Sequence, residues 1–375
     1  MDAFFASVEL LRYPELRGQP VVVGGRGAGR PEPAPGGGWR FARLGDYVGR
    51  GVVTTSTYEA RACGVFSGMG LMKSAQLARD AILLPANFDA YRHYSRRFKA
   101  AVAAIAPCIE DRGIDEIYID LSAHGEDTLA LAQEIKEAVF AATGLTCSIG
   151  IAANKLLAKI ASDLDKPDGL TCLGPADLAA RIWPLAVRKI NGIGPKAGDK
   201  LDRLGIRTIG ELAAAPAPLL IGEFGKSTGA WLHRAAHGLD ERPVVTTSEP
   251  KSISRETTFD RDLHPRHDRA ALSRIFTALC QGVADDLQRQ GYACRTVGIK
   301  LRYADFRAVT RDLTLPARVD GGGDIRRAAG QCLKRVPLEQ KIRLLGVRAS
   351  GLEAKTPSTT PTAARQGELP FDPPS

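Results

Sequence analysis

Two adjacent carboxylates interrupt an apolar run, Gly113-Ile114-Asp115-Glu116-Ile117-Tyr118-Ile119-Asp120. Isoleucine and tyrosine favour β structure, so the run predicts a strand or hairpin that carries the two acids. Burial or partial burial of adjacent acids is unfavourable unless a cation meets them, and in soluble enzymes that cation is commonly a divalent metal with a phosphate substrate. The alternative is a hairpin turn with two solvated acids, and this stretch alone leaves both interpretations open.

Composition limits the class of protein. A chain of 375 residues predicts two to four domains. It contains no apolar run of about 18 residues and no charged-then-apolar signal segment, so we expect a cytoplasmic protein with no membrane association. The seven cysteines are scattered and form no C-x-x-C pair, and the six histidines form no HExxH motif. This pattern argues against both a disulfide framework and a zinc site.

The positive charge is concentrated in one stretch. The chain has a net charge of +9, and residues 251–350 hold 20 basic and 11 acidic residues, so the remainder is neutral. A basic domain attached to a neutral body predicts a polyanionic partner, most simply nucleic acid. The alternative is a basic surface that only increases solubility.

Periodicity predicts an α+β protein. Strands and helices alternate irregularly to about residue 175, residues 180–240 are predicted to be helical, and the polar stretch 245–252 is a candidate linker. Beyond it, Val297, Ile299 and Leu301 alternate with Lys300 and Arg302, which predicts a sheet with one apolar and one basic face. The Gly/Pro-rich stretch 24–38 lacks a G-K-[ST] ending and is interpreted as a flexible excursion, and the tail from residue 354 is expected to be disordered.

A glycine turn in the helical region is typical of phosphate binding. Ile190-Asn191-Gly192-Ile193-Gly194-Pro195-Lys196 resembles a helix-hairpin-helix, in which backbone N–H groups at a helix start meet a DNA phosphate without reading bases. Lys196 and Lys200 strengthen this interpretation. The alternative is an ordinary αα-hairpin.

Three further side chains could hold a triphosphate. Tyr58 and Arg61 are three residues apart and share a helix face, and Lys166 precedes the turn Pro167-Asp168-Gly169. Arginine binds phosphate in a bidentate manner and lysine acts as a point charge. Taken singly, each of these residues is unremarkable.

The order of these motifs resembles that of a known family. The chain looks like a Y-family translesion DNA polymerase of the bacterial DNA polymerase IV (DinB) type, and the resemblance extends from residue 1 to about 352. It rests on these segments: Met1-Asp2-Ala3-Phe4-Phe5-Ala6-Ser7-Val8-Glu9, Tyr58-Glu59-Ala60-Arg61, Gly113 to Asp120, Ser148-Ile149-Gly150-Ile151, Asn154 to Ser162, Lys166 to Gly169, and Lys251-Ser252-Ile253-Ser254-Arg255-Glu256.

The resemblance implies a right-hand polymerase with a separate α+β little-finger domain. The domains expected are a catalytic palm (residues 1–3 and 88–175), fingers (4–87), a thumb with the helix-hairpin-helix (176–244), a linker (245–252), a DNA-binding little finger (253–352) and a disordered tail (353–375).

The resemblance also assigns roles to single residues. Asp115 would ligate two catalytic Mg²⁺ ions, Glu116 would complete the metal site beside the attacking 3′-hydroxyl, and the backbone carbonyl of Met1 would contact the nucleotide-bound metal. Phe5 would be the steric gate that excludes a 2′-hydroxyl. Tyr58, Arg61 and Lys166 would hold the incoming triphosphate, and the DNA-binding residues expected are Gly192, Gly194, Lys196, Arg255, Lys300 and Arg302.

The implied function is template-directed synthesis by a monomer that uses primer-template DNA and dNTPs. Synthesis would be distributive, of low fidelity and without proofreading, and would copy past damage. In the tail, Gln366-Gly367-Glu368-Leu369-Pro370-Phe371 is similar to the Q-x-x-L-x-F peptide that binds the sliding clamp (the beta subunit), with Gln366, Leu369 and Phe371 as its anchors.

The chain departs from the family pattern at Met1. The family places an aspartate, a ligand of both metals, immediately before this run. Either the true start lies a few codons upstream, or the chain is truncated and impaired in catalysis. Asp2 could substitute only after rearrangement, since it would lie roughly 6–7 Å from that position. The loop over residues 25–50 is also longer than the family's usual fingers loop.

Two rival functions follow. One is a catalytically silent DNA- and clamp-binding protein with a polymerase shape. The other is a helix-hairpin-helix DNA glycosylase or nuclease. It would require a catalytic Lys/Asp arrangement near residues 190–240, which the sequence does not show, and it would leave Asp115-Glu116 and Tyr58/Arg61 unexplained.

Overall fold

A computed structural model describes residues 1–25 and 28–355 and divides the chain into two units, Met1–Thr247 and a unit that begins at Ser248. The predicted linker 245–252 spans this division. Within the described residues, no helix has the length and apolar character needed to cross a bilayer.

The first unit mixes helices and short strands. Its α-helices are α1 (Phe4–Arg12), α2 (Tyr58–Ala62), α3 (Leu71–Leu77), α4 (Phe88–Ile105), α5 (Thr128–Thr143), α6 (Lys155–Leu164), α7 (Pro195–Arg203), α8 (Ile209–Ala214), α9 (Ala217–Phe224) and α10 (Lys226–Ala236). Its strands are β1 (Val21–Gly24), β2 (Glu32–Pro33), β3 (Trp39–Arg40), β4 (Ala42–Arg43), β5 (Val53–Ser56), β6 (Ile82–Leu84), β7 (Ile109–Asp111), β8 (Ile117–Ile119), β9 (Ile149–Ile151) and β10 (Leu170–Cys172).

A four-stranded sheet organises the first ninety residues. Its order is β4-β6-β1-β5, with β1 parallel to β6 and antiparallel to β5. The valines of β1 are fully buried, as expected for a central strand with apolar side chains on both faces. Within the predicted excursion over residues 24–38, the described residues after Gly24 are irregular except for β2, which pairs with β3 in a hairpin. Trp39 of β3 packs edge-on against Tyr13 at 5.5 Å between ring centroids.

The acidic run forms a hairpin. Strands β7 and β8 pair antiparallel, and Asp115 and Glu116 lie in the connection just before β8. Strands β9 and β10 form a separate parallel pair. Helices α4 and α5 pack together through Phe98, Val102, Ile135 and Val139, all buried. This core supports the hairpin, because Ile117 and Ile119 of β8 pack against it.

Residues 187–236 form a helical cluster, as the sequence predicts, and share one apolar core with α6. Ile190 before the glycine turn and Ile193 between its two glycines are buried, and α7 begins at Pro195 with Gly194 as its N-cap. Proline at the first helical position fits this start because its missing N–H would lack a partner there. Helix α8 begins with a capping box between Thr208 and Glu211.

The second unit is an antiparallel sheet covered by two helices. Its order is β11-β14-β12-β13, and α11 and α12 pack on one face through a continuous apolar core. Its elements are β11 (Ser252–Leu263), α11 (Arg269–Arg289), β12 (Tyr292–Tyr303), β13 (Ala308–Val319), α12 (Gly322–Leu333) and β14 (Ile342–Ala354). The predicted alternation in β12 is confirmed, since Val297, Ile299 and Leu301 are buried in that core and Lys300 and Arg302 are not.

Candidate active site

A cleft of about 700 Å³ opens in the first unit beside the acidic hairpin. Met1, Asp115, Glu116 and Lys166 line it together. Four of the predicted site residues, far apart in sequence, are therefore brought to one cavity. Tyr58, Arg61 and Phe5 are not among the described residues that line it.

The two predicted metal ligands differ in their surroundings. Asp115 is half-buried, and its backbone carbonyl accepts a 2.9 Å hydrogen bond from the backbone nitrogen of Met1. Within the described part of the chain, no group donates a hydrogen bond to its carboxylate. Glu116 is exposed, and its Oε1 accepts a 2.6 Å hydrogen bond from Lys159 Nζ on α6. The Asp115 carboxylate thus has no hydrogen-bond donor among these residues, although the charge of the Met1 ammonium acts on it, whereas Glu116 is hydrogen-bonded to a cationic partner.

The Lys159 ammonium remains charged although it is partly buried. Burial lowers the pKa of its ammonium, but the hydrogen bond to Glu116 and the neighbouring Asp163 outweigh this effect, so the pKa lies above its ordinary value. Carboxylate oxygens are ligands that Mg²⁺ prefers, so Asp115 and Glu116 fit that ion chemically. Among the described residues, no three His, Cys, Asp or Glu side chains converge as a metal site.

Tyr58 and Arg61 are held together at the start of α2. Thr57 caps this short helix, and the Arg61 guanidinium lies over the Tyr58 ring at 4.8 Å from its centroid. The Tyr58 hydroxyl is buried without a hydrogen-bond partner in the part of the chain that the structure describes. Burial raises the pKa of Tyr58, and the negative charges of Asp2 and Asp163 raise it further, against the opposing effect of Arg61. An unpaired buried hydroxyl next to an arginine suits a polar ligand.

Lys166 lies next to Asp163, one of the two carboxylates that act on Tyr58. Its Nζ contacts Asp163 Oδ1 at 2.6 Å. Burial raises the pKa of Asp163, but the hydrogen bond from Lys166 and the charge of Lys159 hold that pKa below its ordinary value. Asp163 therefore interacts with both predicted parts of the triphosphate site. It is hydrogen-bonded to Lys166, and its charge acts on Tyr58.

One face of the Phe5 ring packs against a buried tyrosine. The Phe5 ring stacks on Tyr91 at 4.3 Å between centroids and 17° between planes, and meets the edge of Phe88 at 5.9 Å. Tyr91 is fully buried and donates a 2.6 Å hydrogen bond to Glu9 Oε1. Burial and this carboxylate raise the pKa of Tyr91 far above its ordinary value, so the phenol stays neutral. Ala3, two residues before Phe5, has a left-handed backbone (φ 41°, ψ 42°) that sets the entry into α1.

Asp2 does not take the place of a metal ligand. It is 2% exposed, and its two carboxylate oxygens accept hydrogen bonds from Ser148 Oγ (2.7 Å) and the backbone N–H of Asp168 (2.9 Å). Sequence reasoning missed these partners, because they lie 146 and 166 residues away.

A buried ion pair that the sequence did not indicate ties the end of the first unit to its hairpin. Glu110 Oε2 of β7 accepts hydrogen bonds from Lys155 Nζ (2.6 Å) and from the backbone N–H of Val245 (2.9 Å), and Lys155 also donates to the carbonyl of Pro243 (2.7 Å). Burial raises the pKa of Glu110, but these partners outweigh it and hold the pKa below its ordinary value. The only sequence signal was a polar residue at an apolar position of a strand.

The glycine turn has the geometry that the motif requires. Gly192 has φ +113°, a conformation that disfavours other residues, and a Cβ there would lie 2.9 Å from the Trp231 ring. Lys196 is exposed in the first turn of α7. The two glycines and this lysine are all exposed at the helix start.

The predicted basic residues of the second unit do not share one face. Lys300 and Arg302 lie on the sheet face opposite the helices, where Lys300 pairs with Glu256 at 2.8 Å and Arg302 Nε is buried without a partner among the described residues. Arg255 lies on the helix side, because it alternates in phase with the buried Ile253 and binds Asp286 of α11 through two hydrogen bonds of 2.6 and 2.9 Å. Arg255 and Lys300, both predicted to bind DNA, therefore lie on opposite faces of the sheet.

Three family models match the chain. The impB/mucB/samB family matches residues 1–163, its C-terminal domain matches residues 250–369, and a model described as the DNA polymerase-iota thumb domain matches residues 188–240. Along the chain, the match to residues 1–163 contains the acidic hairpin, the match to 188–240 covers nearly all of the helical cluster, and the match to 250–369 covers nearly all of the second unit as far as it is described.

Curated relatives extend over nearly the whole chain. A DNA polymerase IV of Methanoculleus marisnigri is 41% identical over 94% of this chain and 93% of its own length. A DNA polymerase IV of Alkalilimnicola ehrlichii is 39% identical over 95% of both chains. The chain belongs to the Y family of DNA-directed DNA polymerases, together with the proteins named DNA polymerase IV.

Solved structures of low sequence identity share the fold. A Y-family DNA polymerase chimera of Dbh and Dpo4 is 24% identical with a TM-score of 0.78, and covers 94% of this chain and 98% of its own. DinB from Sulfolobus solfataricus is 24% identical with a TM-score of 0.59, over 93% and 96% of the two chains. The predicted right-hand polymerase fold of class α+β is confirmed. The predicted clamp-binding residues Gln366, Leu369 and Phe371 lie outside the described residues.

Proposed function

We propose that the chain catalyses template-directed transfer of a nucleotide from a dNTP to a primer 3′-hydroxyl, with two Mg²⁺ ions, low fidelity and no proofreading, and that it copies past DNA damage. The observation that carries this proposal is the convergence of Asp115, Glu116 and Lys166 on one cleft. Membership of a family whose enzymes depend on a metal supports it further.

Asp115, Glu116 and the carbonyl of Met1 would hold the metal. When bound, two Mg²⁺ ions would favour ionisation of the primer hydroxyl and stabilise negative charge on the pyrophosphate leaving group. Lys159 would balance the charge of Glu116 and hold its carboxylate toward α6. The Asp115 carboxylate, which accepts no hydrogen bond within the described chain, would bind the cation without breaking one.

The nucleotide would be bound by the three predicted side chains. The buried, unpaired hydroxyl of Tyr58 can donate to a phosphate oxygen, and Arg61 beside it and Lys166 across Asp163 supply positive charge. Phe5, supported by Tyr91, would lie beneath the sugar and exclude a 2′-hydroxyl.

Primer-template DNA would contact the glycine turn and the second unit. The N–H groups near Gly192 and Gly194 and the exposed Lys196 suit a phosphate, and Lys300 and Arg302 supply positive charge on the sheet face opposite the helices. One solved structure with the same fold is an insertion ternary complex of Dbh DNA polymerase. We also propose that Arg255 contacts DNA. Its guanidinium would then bind DNA and Asp286 at the same time.

A primer-extension assay tests the proposed function. The chain as printed is compared with versions that carry either aspartate or alanine immediately before Met1, each with primer-template, four dNTPs and Mg²⁺. We expect extension by the aspartate version and a loss of extension when EDTA removes the metal. Failure of all versions to extend a primer would rule out the proposed activity.

The second candidate function is a DNA- and clamp-binding homologue with impaired catalysis. It is favoured by one observation, that no third acidic side chain joins Asp115 and Glu116 among the described residues. If only the aspartate version extends primers, the printed chain is such an impaired form. Equal extension by the printed chain would exclude this candidate.

A further prediction concerns the tail. Deletion of residues 366–371 is expected to leave basal primer extension unchanged and to abolish its stimulation by the sliding clamp, since Gln366, Leu369 and Phe371 would enter a pocket as an extended peptide. Extension is measured with and without the clamp loaded on the template. The matched control deletes residues 356–361, which leaves the motif intact, and equal stimulation of both deletion variants would contradict the assignment.

The predicted domain boundaries, the monomeric state and the cytoplasmic location stay predictions.

A further inference from the structure

The turn that carries Lys166 is held by residues from two distant parts of the chain. It comprises Lys166-Pro167-Asp168-Gly169 and connects α6 to β10. The backbone N–H and carbonyl groups of Asp168 and Gly169, together with the Asp168 side chain, bind Asp2, Ser148 and Lys136. None of these three residues has a role in the proposed function.

Asp2 holds the turn from the side of α1. Its Oδ2 accepts the backbone N–H of Asp168 at 2.9 Å, and its Oδ1 accepts the hydroxyl of Ser148 at 2.7 Å. Ser148 Oγ in turn accepts the N–H of Gly169 at 3.2 Å. Two successive N–H groups of the turn are thus bound, directly or through Ser148, to one buried carboxylate. Hydrogen bonds to a buried charged group are among the stronger ones in proteins.

Lys136 holds the turn from the side of α5. Its Nζ donates to Asp168 Oδ1 (2.6 Å), to the carbonyl of Asp168 (2.7 Å) and to the carbonyl of Cys147 (2.7 Å). Its side chain is only 10% exposed. The ammonium therefore connects the turn to the segment that precedes Ser148, which is the segment that Asp2 also binds.

The conformation of the turn needs such support. Asp168 has φ +58°, a left-handed backbone that costs free energy in any residue other than glycine. Gly169 lies so close to α6 that a Cβ would be 2.3 Å from the carbonyl of Asp165. Such a conformation persists only when surrounding contacts determine it.

Asp2 also acts electrostatically on Tyr58, another residue of the candidate nucleotide site. Burial raises the pKa of Tyr58, and the negative charge of Asp2 raises it further.

We propose that Asp2 and Lys136 are positioning residues for the nucleotide: they fix the Lys166–Gly169 turn so that Lys166 faces the triphosphate together with Tyr58 and Arg61. Neither residue touches the substrate in this proposal. The inference rests on the proposed role of Lys166.

Equilibrium binding of a dNTP tests the inference without requiring chemistry. The protein is bound to a primer-template whose primer ends in a dideoxynucleotide, in the presence of Mg²⁺, and the Kd of the correct dNTP is measured by fluorescence of a 2-aminopurine in the template. The Kd of the DNA and the Tm of each variant are measured in parallel.

Asp2→Ala is expected to raise the Kd of the dNTP about tenfold, as the loss of one or two buried hydrogen bonds would. The Kd of the DNA should change less than about twofold. Asp2→Asn should restore most of the affinity, because its amide oxygen can accept from Asp168 and its NH₂ can donate to Ser148 Oγ. Lys136→Met should act in the same direction as Asp2→Ala.

Thr143→Ala is the matched control. Thr143 is buried on α5, as Lys136 is, and its hydroxyl bonds only locally, to Val139 (2.6 Å) and Leu145 (3.1 Å). This variant should lower the Tm and leave the Kd of the dNTP unchanged. An equal rise in that Kd would mean that general destabilisation explains the effect, and would overturn the inference.

A double-mutant comparison separates the positioning role of Asp2 from the proposed role of Lys166 itself. In a Lys166→Ala background, Asp2→Ala should weaken dNTP binding by less than about twofold, because both changes remove the same contribution. A full tenfold additional loss would overturn the inference and leave the role of Lys166 intact. If Lys166→Ala alone leaves the Kd of the dNTP unchanged, the proposed role of Lys166 itself is wrong.

Discussion

Asp115→Asn is expected to abolish primer extension by any version of the chain that is active, with a loss of at least about 1,000-fold in rate, equivalent to about 4 kcal/mol of transition-state stabilisation. The amide removes the negative charge that would bind the cation. It costs the fold little, because no described group donates a hydrogen bond to this half-buried carboxylate. Affinity for primer-template DNA should change less than about twofold. Single-turnover extension and DNA-binding titrations measure the two effects.

Asp111→Asn is the matched control for this prediction. Asp111 lies in the same hairpin, and its carboxylate binds Lys99 at 2.7 Å and the N–H of Gly113 at 3.1 Å. The amide can keep the bond to Gly113, so extension should stay near that of the parent chain. A normal rate for Asp115→Asn, or an equal loss for both variants, would contradict the assignment of Asp115 as the metal ligand.

Local patterns predicted the parts of the site that depend on neighbouring residues. The β-branched and aromatic residues around Asp115 predicted the hairpin, and the G-I-G-P run predicted the start of α7, because strand propensity and helix capping act within a few residues. The alternation in β12 predicted which side chains leave the core, since strand side chains point to opposite faces in turn.

Long-range contacts decide what these patterns could not predict. Asp2 was considered as a substitute metal ligand because of its spacing along a strand, whereas its carboxylate binds Ser148 and Asp168. The resemblance assigns both Arg255 and Lys300 to DNA binding, and the sequence does not indicate which sheet face either side chain occupies. The position of Asp286 on α11 gives Arg255 a partner on the helix side. Neither partner could be predicted before the packing of the elements was known.

The same reason explains the hairpin of β2 and β3. Glycine and proline between residues 24 and 38 predicted an irregular excursion, because each residue disfavours regular structure locally. The hairpin is stabilised by contacts outside it, in which Trp39 and Phe41 both meet the ring of Tyr13 edge-on. A short two-stranded ribbon is marginal by itself and depends on such packing.

Phe5→Ala is expected to admit ribonucleotides. The ring of Phe5 stacks at 4.3 Å on Tyr91, which is fully buried and bonded to Glu9, so the ring has a rigid support and cannot recede from a sugar placed against its other face. Truncation to alanine removes the steric conflict with a 2′-hydroxyl. The preference for dNTP over rNTP, measured as the ratio of kcat/KM values, should fall about 100-fold, which corresponds to about 3 kcal/mol.

Phe88→Ala tests whether sugar discrimination depends on the Phe5–Tyr91 stack alone or on the packing of the whole aromatic cluster. Phe88 is about half exposed and meets Phe5 only edge-on at 5.9 Å, so its loss leaves the support by Tyr91 in place. Sugar discrimination should therefore stay within about threefold of the parent value. If Phe5→Ala leaves the ratio unchanged, the ring does not contact the sugar. If Phe88→Ala lowers the ratio as much as Phe5→Ala does, discrimination depends on the packing of the whole cluster, and Phe5 is not the gate.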